Sequence, residues 1–214
     1  MYIAIEGVIG VGKTTLARLL QPAFDAVLLL EVFEENPFLS DFYSDRARYA
    51  FQTQIFFLLS RYHQQRRAVP EALASGRTLI SDYTFAKDSL FARINLAGDE
   101  LEMYKRVHEA LAEKITLPDL LVYLRASTQV LMGRISTRDR SYERNMEHSY
   151  IELLNRSYDD FFSRPLEDTP ILTIDTDALD FVHAPEHLKV IENRIRENLY
   201  LPPYQRPLPF EKTS

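Results

Sequence analysis

The sequence predicts an α/β domain in which helices flank a parallel sheet of five strands. Short apolar runs alternate with longer segments of helical periodicity along the 214 residues, which is the pattern of β-α-β units. The first apolar run leads through a glycine-rich turn into a helical segment, "YIAIEGVIGVGKTTLARLL". Hydrophobic residues make up 46% of the chain and charged residues 26%, a composition typical of a globular protein with a substantial core.

Five apolar runs are candidates for the strands of this sheet. Each is short and rich in aliphatic residues, and helical segments lie between them, as is typical of buried parallel strands. The predicted strands are 2–6, 26–32, 78–82, 119–124 and 171–175.

Helices are predicted between these strands and after the last one. Asp99 and Ser127 are candidate N-caps, since their side chains can accept from free backbone N–H groups, and Pro185 suits the first turn of a helix. The predicted helices are 13–20, 46–67, 99–115, one that follows Ser127 and carries Arg134, 146–162 and 185–199.

The domain prediction is a single unit over residues 1–200 with a C-terminal tail, 201–214. The tail holds four of the eleven prolines and is expected to be extended. No window approaches 18 uncharged apolar residues, so no membrane span is predicted. The first residues have the pattern of a core strand and not of a signal peptide, and a cytoplasmic location is expected.

Charge and cysteine content exclude further classes of function. The chain has 31 acidic and 25 basic residues, for a net charge of −6, which argues against a broad nucleic-acid surface. It has no cysteine, and this excludes disulfides, a thiolate nucleophile and a cysteine-based zinc site.

Residues 7–14, "GVIGVGKT", fit the pattern G-x-x-x-x-G-K-[ST] between a predicted strand and a predicted helix. Glycines let backbone N–H groups face phosphate oxygens, and the helix N-terminus adds a favourable dipole. Lys13 is expected to reach the β- and γ-phosphates of ATP, and Thr14 to bind Mg²⁺. A GTPase is disfavoured, because no aspartate has glycine three residues later and "NK" is absent. The predicted nucleotide-binding residues of this loop are Gly7, Gly10, Val11, Gly12, Lys13, Thr14 and Thr15.

Two acids end predicted strands, where open α/β sheets bind ligands. Glu31 closes the second predicted strand and is the candidate base that takes a proton from an attacking hydroxyl. Asp82 closes the third and is expected to lie beside the phosphate-binding loop as a second Mg²⁺ ligand.

The segment "RISTRDRSYE", 134–143, concentrates three arginines in an acidic chain. A solvated surface helix that runs into a loop is the simplest interpretation. The alternative is a lid, about 134–146, whose arginines stabilise the negative charge of transferring phosphates and exclude water. The phosphate loop and the two acids favour the lid. Arg138 and Arg140 are then catalytic candidates, and Arg134 is expected to lie along the nucleotide.

Together these residues resemble the deoxynucleoside kinase family, P-loop enzymes that phosphorylate the 5′-hydroxyl of deoxynucleosides. The resemblance is strongest to bacterial deoxyguanosine and deoxyadenosine kinases and covers nearly the whole chain. It implies a P-loop kinase fold, ATP as donor, a small-molecule purine deoxynucleoside as acceptor, and a homodimer formed through a helical face. The segments that carry it are "IEGVIGVGKTTL", "NPFLSDFYSDRARYAFQTQIFFLLSRY", "RISTRDRSYE" and "ILTIDTDALDF".

The resemblance also implies roles for individual residues. The acid at position 31 corresponds to the family's base, and the lid pattern R-x-x-x-R-x-R-x-x-E ends on Glu143. Glu143 and Tyr43 are expected to hold the sugar 3′-hydroxyl. Thr176 and Asp177 lie in a segment similar to the loop that reads the donor base.

Base recognition is assigned by the resemblance to Gln54, to Arg61 seven residues later and to Asp88, six residues after Asp82. Glutamine can pair with a purine or a pyrimidine, whereas arginine donors suit guanine O6 and N7. The set therefore favours a purine, and guanine over adenine if Arg61 donates directly. Phe57 and Phe91 are expected to form pocket walls.

One departure concerns the third strand end. Much of the family has Asp/Glu-Arg-Ser there, and its arginine contacts the base carboxylate and the phosphate. This chain has Asp82-Tyr83-Thr84, so that role is vacant or passes to the lid arginines.

Two alternatives remain open. A nucleoside monophosphate kinase of the thymidylate kinase type shares the loop and the lid, but it needs an arginine near Tyr83 for the acceptor phosphate. A nucleotide-binding regulator without catalysis would not require an acid at position 31.

Overall fold

The computed structural model describes residues 1–140, 143–144, 146–166 and 169–203. Five parallel strands form one sheet in the order β2-β3-β1-β4-β5, which confirms the predicted fold class. The strands are β1 (Tyr2–Gly7), β2 (Ala26–Leu29), β3 (Thr78–Ser81), β4 (Leu120–Arg125) and β5 (Ile171–Asp175). All six residues of β1 are buried. The strand that leads into the phosphate loop is therefore held at the centre of the sheet.

Eight α-helices pack around the sheet within the described residues. They are α1 (Lys13–Phe24), α2 (Leu39–Ser44), α3 (Arg46–Ala74), α4 (Lys87–Asn95), α5 (Gly98–Ala112), α6 (Thr128–Arg138), α7 (His148–Phe162) and α8 (Pro185–Asn198). The sequence predicted neither α2 nor α4, and it also missed a short 3-10 turn, Phe33–Glu35. Among the described helices, none has an apolar stretch long enough to cross a membrane.

Two predicted strands are too long at their carboxyl ends. β2 ends at Leu29 and β3 at Ser81, so Glu31 lies two residues beyond its strand and Asp82 one residue beyond. β2 is an edge strand that pairs only with β3, and their ladder ends at Leu29 opposite Ser81. The backbone N–H of Glu31 instead donates to Oδ1 of Asp82 at 2.8 Å.

Two predicted helices are too short at their carboxyl ends, and each continues through a proline. α1 continues through Pro22 and α3 through Pro70. A proline inside a helix removes one hydrogen bond and is unfavourable. Burial of side chains beyond each proline, Phe24 in α1 and Ala72 in α3, offsets that cost.

The two predicted caps have different outcomes. Ser127 is the N-cap of α6, and its Oγ accepts from the backbone N–H of Val130 at 3.4 Å. The prediction for Asp99 is wrong, because Ala97 takes the N-cap position of α5 and Asp99 lies in the first turn. There its carboxylate still interacts favourably with the helix dipole.

At the C-terminus, α8 starts at Pro185 as predicted and ends at Asn198. Residues 201–203 have no regular secondary structure, and the rest of the predicted tail lies outside the described residues. The division into a domain, 1–200, and a tail stays a prediction.

Candidate active site

The phosphate loop lies between β1 and α1 and has the backbone form that its glycines permit. Gly10 and Gly12 have φ values of 88° and 105°, which L side chains rarely adopt. A Cβ at Gly10 would also lie 2.7 Å from Cγ1 of Ile135 in α6. Nζ of Lys13 donates to the carbonyl of Gly7 at 2.6 Å and more weakly to that of Val8 at 3.3 Å. The side chain of Lys13 thus folds back onto the first residues of the phosphate loop.

The two predicted metal ligands meet beside this loop. Oγ1 of Thr14 donates to Oδ2 of Asp82 at 2.5 Å. Hard oxygen donors of this kind fit Mg²⁺, which is usually bound through one or two protein ligands with phosphates and water completing its octahedron. Among the described residues, no cluster of three or more histidine or acidic side chains suited to a metal exists. The Mg²⁺ assignment itself stays a prediction.

Glu31 is held between two cations. Its Oε1 accepts from Nε of Arg61 at 2.9 Å and also from Nη2, and its Oε2 accepts from Nζ of Lys87 at 2.8 Å. Burial alone would raise the pKa of Glu31, but Arg61 and Lys87 outweigh it and hold that pKa well below its ordinary value. Glu31 is therefore ionised at neutral pH.

One cleft collects most of the predicted catalytic and acceptor-binding residues. Its cavity volume is about 120 Å³. Both ends of the expected reaction lie on it, since Lys13 from the phosphate loop and Glu31 share its lining. The other predicted residues that line the cleft are Gly10, Thr14, Tyr43, Gln54, Phe57, Arg61, Asp82, Phe91, Arg138, Arg140 and Glu143.

Arg61 connects the candidate base to the predicted base-recognition residues. Its Nη1 donates to Oδ1 of Asp88, which is fully buried, and its guanidinium lies 4.6 Å from the ring centroid of Phe57. Gln54, two turns earlier on α3, lines the same cleft, as the seven-residue spacing predicts. Arg61 thus orders Glu31 and Asp88 at once, in addition to any contact with a nucleobase.

The lid arginines are ordered by an acid and an aromatic ring. Arg138 donates to Glu143 through Nε at 3.1 Å and through Nη2 at 2.6 Å. The guanidinium of Arg140 lies 4.1 Å from the ring centroid of Phe33. Glu143 is only 5% exposed, so its carboxylate is fixed at the cleft. Residues 141, 142 and 145 of the predicted lid lie outside the described part of the chain.

A second cavity, which shares Gly10 of the phosphate loop with the first cleft, collects predicted nucleotide-binding residues. Arg134 spans it, since its Nη1 donates to the carbonyl of Val11 at 3.2 Å and its Nη2 to that of Thr176 at 2.8 Å. Thr176, also predicted to bind nucleotide, is fully buried and is not among the described residues that line this cavity. The predicted residues that line it are Gly10, Val11, Gly12, Thr15, Arg134 and Asp177. Gly7 lines neither cavity among the described residues and ends β1.

The sequence interpretation missed two charged groups near the cleft. Lys87, at the start of α4, is 3% exposed and lines the cleft. Glu6 is fully buried beneath the phosphate loop and accepts from the backbone N–H groups of Gly7, at 3.1 Å, and Thr84, at 2.7 Å. The signal for Lys87 was its position five residues after Asp82. Because α4 was not predicted, this spacing could not indicate that the side chain of Lys87 points into the cleft.

Tyr83, the departure noted above, is fully buried and donates through its hydroxyl to Gln64 at 2.8 Å. The cations that hold Glu31 are Arg61 and Lys87, and neither belongs to the lid. The sequence predicted that the role of the missing arginine is vacant or passes to the lid arginines. At the carboxylate of Glu31 the structure has neither, because Arg61 and Lys87 supply the cationic contacts.

Comparison with known proteins adds relatives over nearly the whole chain. Deoxyguanosine kinase from Bacillus subtilis (strain 168) is 36% identical over 199 residues, which cover 92% of this chain and 96% of that protein. Deoxyadenosine kinase from Dictyostelium discoideum is 33% identical over 178 residues, covering 81% and 71%. The solved structure of deoxyadenosine kinase from M. mycoides with bound dATP has a TM-score of 0.79 and 26% identity, covering 92% and 99%.

The family model for deoxynucleoside kinases matches residues 3–200, which include both cavities and every residue of the candidate site. A match of this extent, with relatives above 30% identity, agrees with the resemblance seen in the sequence. The chain belongs to the deoxynucleoside kinase family.

Proposed function

We propose that this kinase transfers the γ-phosphoryl group of Mg-ATP to the 5′-hydroxyl of a purine deoxynucleoside, with deoxyguanosine favoured and deoxyadenosine possible. The observation that carries the proposal is the single cleft on which Lys13, Thr14 and Asp82 face Glu31. A phosphate-binding loop and an ionised carboxylate on one cleft suit transfer to a hydroxyl. Salvage of nucleosides in the cytoplasm is the role consistent with this reaction.

In the proposed mechanism, Glu31 orients the 5′-hydroxyl and accepts its proton. The 5′-oxygen forms a bond to the γ-phosphorus as the bond from that phosphorus to the β,γ-bridging oxygen breaks, and ADP leaves. Lys13, Arg138 and Arg140 offset the negative charge that spreads over the transferring group. Thr14 and Asp82 would hold Mg²⁺, which supplies further neutralisation of the phosphates.

Recognition of a purine is supported by groups at the acceptor side of the cleft. Oγ1 of Thr53, which lines the cleft, and Oδ2 of Asp88, the partner of the cleft residue Arg61, are buried without a hydrogen-bond partner among the described residues, and a buried polar atom of that kind is costly unless a ligand satisfies it. Gln54 adds an amide that can pair with a purine edge, and Tyr43 and Glu143 are proposed to hold the sugar. The relatives include deoxyguanosine kinases at 36% and 30% identity.

A homodimer is part of the proposal. Leu59 on α3 and Met103 on α5 are 40% and 57% exposed, and these two helices pack against each other. Exposed apolar side chains on two helices that pack together suit association with a second copy.

A competition assay tests the proposed reaction. With Mg-ATP in excess, we expect conversion of deoxyguanosine to its 5′-monophosphate and no conversion of deoxyguanosine monophosphate to the diphosphate. Among deoxyguanosine, deoxyadenosine and deoxycytidine, kcat/KM is expected to rank in that order. Turnover of the monophosphate alone would favour the thymidylate kinase type, and binding without turnover would favour a regulator.

ATP affinity is expected to fall as pH rises through about 8. Burial and repulsion by the nearby Lys87 lower the pKa of Lys13 from 10.5 to about 8, so the free protein loses this ammonium above that pH. Binding then requires proton uptake, which weakens affinity by up to about tenfold per pH unit. Calorimetric Kd values between about pH 6.5 and 9 measure this, with the exposed Lys105→Met as control. A flat profile for the unaltered protein would contradict the assignment.

A further inference from the structure

Lys87 is a buried ammonium that faces the reaction site. It is the first residue of α4, is 3% exposed and lines the same cleft as Lys13, Thr14 and Asp82. Its one ion pair among the described residues is with Oε2 of Glu31, at 2.8 Å. The ammonium is therefore in contact with the carboxylate that is proposed to activate the 5′-hydroxyl.

Lys87 lies where the local electrostatics disfavour a cation. A cation at a helix N-terminus is repelled by the positive end of the helix dipole, and burial of an ammonium is costly unless it is paired, so Lys87 depends on its ion pair with Glu31 in this structure. Lys87 also lies close enough to Lys13 to contribute to the lowered pKa of that lysine. Two ammonium groups in one cleft repel each other, but both can be satisfied by the dense negative charge of a triphosphate.

The contacts of Glu31 point the same way. Both of its carboxylate oxygens accept from cations in this structure, Oε1 from Arg61 and Oε2 from Lys87. A carboxylate so strongly neutralised is a weak proton acceptor. Arg61 also pairs with the buried Asp88, whereas Lys87 has a flexible four-carbon chain and no second anion within ion-pair distance in the described residues. Of the two cations, Lys87 is therefore better able than Arg61 to give up its contact with Glu31.

We propose that Lys87 is a catalytic residue that gives up its hydrogen bond to Glu31 and donates to the γ-phosphoryl group when Mg-ATP occupies the cleft. The inference rests on the proposed function and assigns a further residue to it. Oε2 of Glu31 then becomes free to accept the 5′-hydroxyl proton as the new O–P bond forms and the bond to ADP breaks. Lys87 keeps its own proton throughout and stabilises the charge on the transferring oxygens, a cationic contact that Tyr83 cannot supply.

The test compares Lys87→Met, which keeps the length but removes the charge, with Lys87→Arg and with the exposed control Lys105→Met. For Lys87→Met we expect kcat to fall by about 10²–10³-fold, the usual loss for one donor to a developing anion. The Kd of deoxyguanosine is expected to change by less than about threefold. Lys87→Arg should recover at least about tenfold of the lost kcat, and Lys105→Met should match the unaltered enzyme.

The split between kcat and Kd supplies a readout that a merely structural role would not give. A structural loss would weaken the binding of deoxyguanosine and would not be recovered by arginine, whereas loss of a donor to the phosphoryl group lowers kcat with little change in Kd.

Three outcomes would overturn the inference. If the unaltered enzyme is active and kcat for Lys87→Met lies within about threefold of its value, the inference about Lys87 is overturned. The proposed function would remain intact. A loss that only follows the folded fraction, measured by thermal unfolding, with no recovery of kcat in Lys87→Arg, would also overturn the inference alone. Absence of turnover by the unaltered enzyme with every deoxynucleoside would instead overturn the proposed function, and this inference with it.

Discussion

Replacing Glu31 with glutamine is expected to lower kcat by about 10²–10⁴-fold, because the amide cannot accept the proton of the 5′-hydroxyl. The side chain keeps nearly the same shape, and Asp82 still accepts from the backbone N–H of residue 31, so the loop should stay in place. The phosphate loop is untouched, and the Kd of ATP is expected to change by less than about threefold. Steady-state kinetics and calorimetric ATP titration measure the two quantities.

The matched control for this substitution is Glu35→Gln. Glu35 lies four residues further on and is exposed, so its loss should leave kcat near that of the unaltered enzyme. Turnover by Glu31→Gln close to the unaltered value would remove Glu31 from the role of base.

Replacing Arg61 with methionine is expected to destabilise the fold and to alter purine selection together. The substitution leaves the fully buried Asp88 without its cation, and breaking a buried ion pair of this kind costs about 3–5 kcal/mol. Glu31 loses only one of its two cationic partners, because Lys87 still pairs with it. Urea unfolding measures the stability, and kcat/KM for the three deoxynucleosides measures the selection, with the advantage of deoxyguanosine expected to be lost.

A second substitution separates the two effects. Adding Asp88→Asn to Arg61→Met removes the unpaired charge and should restore most of the stability, while selection stays altered. The exposed Arg67→Met on the same helix serves as control and should change neither quantity. An unchanged substrate ranking in the stabilised double variant would exclude Arg61 from base recognition.

Most of the fold could be predicted because its signals are local. Apolar runs located all five strands, and the sequence of residues 7–14 located the phosphate loop between β1 and α1. The errors fall where tertiary contacts outweigh local preference. Helices α1 and α3 continue past Pro22 and Pro70 because buried side chains follow, and β2 stops at Leu29 because its neighbour β3 stops as well.

The candidate site was predictable in its residues but not in their contacts. Spacing placed Gln54 and Arg61 on one face of α3, and both line the cleft. Spacing could not indicate that Arg61 pairs with Glu31 as well as Asp88, since the three residues come from different parts of the chain. Lys87 was missed for a related reason, because α4 begins only after a loop whose path depends on the buried Thr84 and Glu6.

The account depends most on the position of Glu31 relative to the two substrates. A crystal structure with deoxyguanosine and a non-hydrolysable ATP analogue measures it directly. We expect a carboxylate oxygen of Glu31 at about 2.6–3.2 Å from the 5′-oxygen, with that oxygen in line with the γ-phosphorus and Lys87 turned toward the phosphate. A 5′-oxygen beyond the reach of Glu31, with Glu31 still bound by both Arg61 and Lys87, would contradict the account.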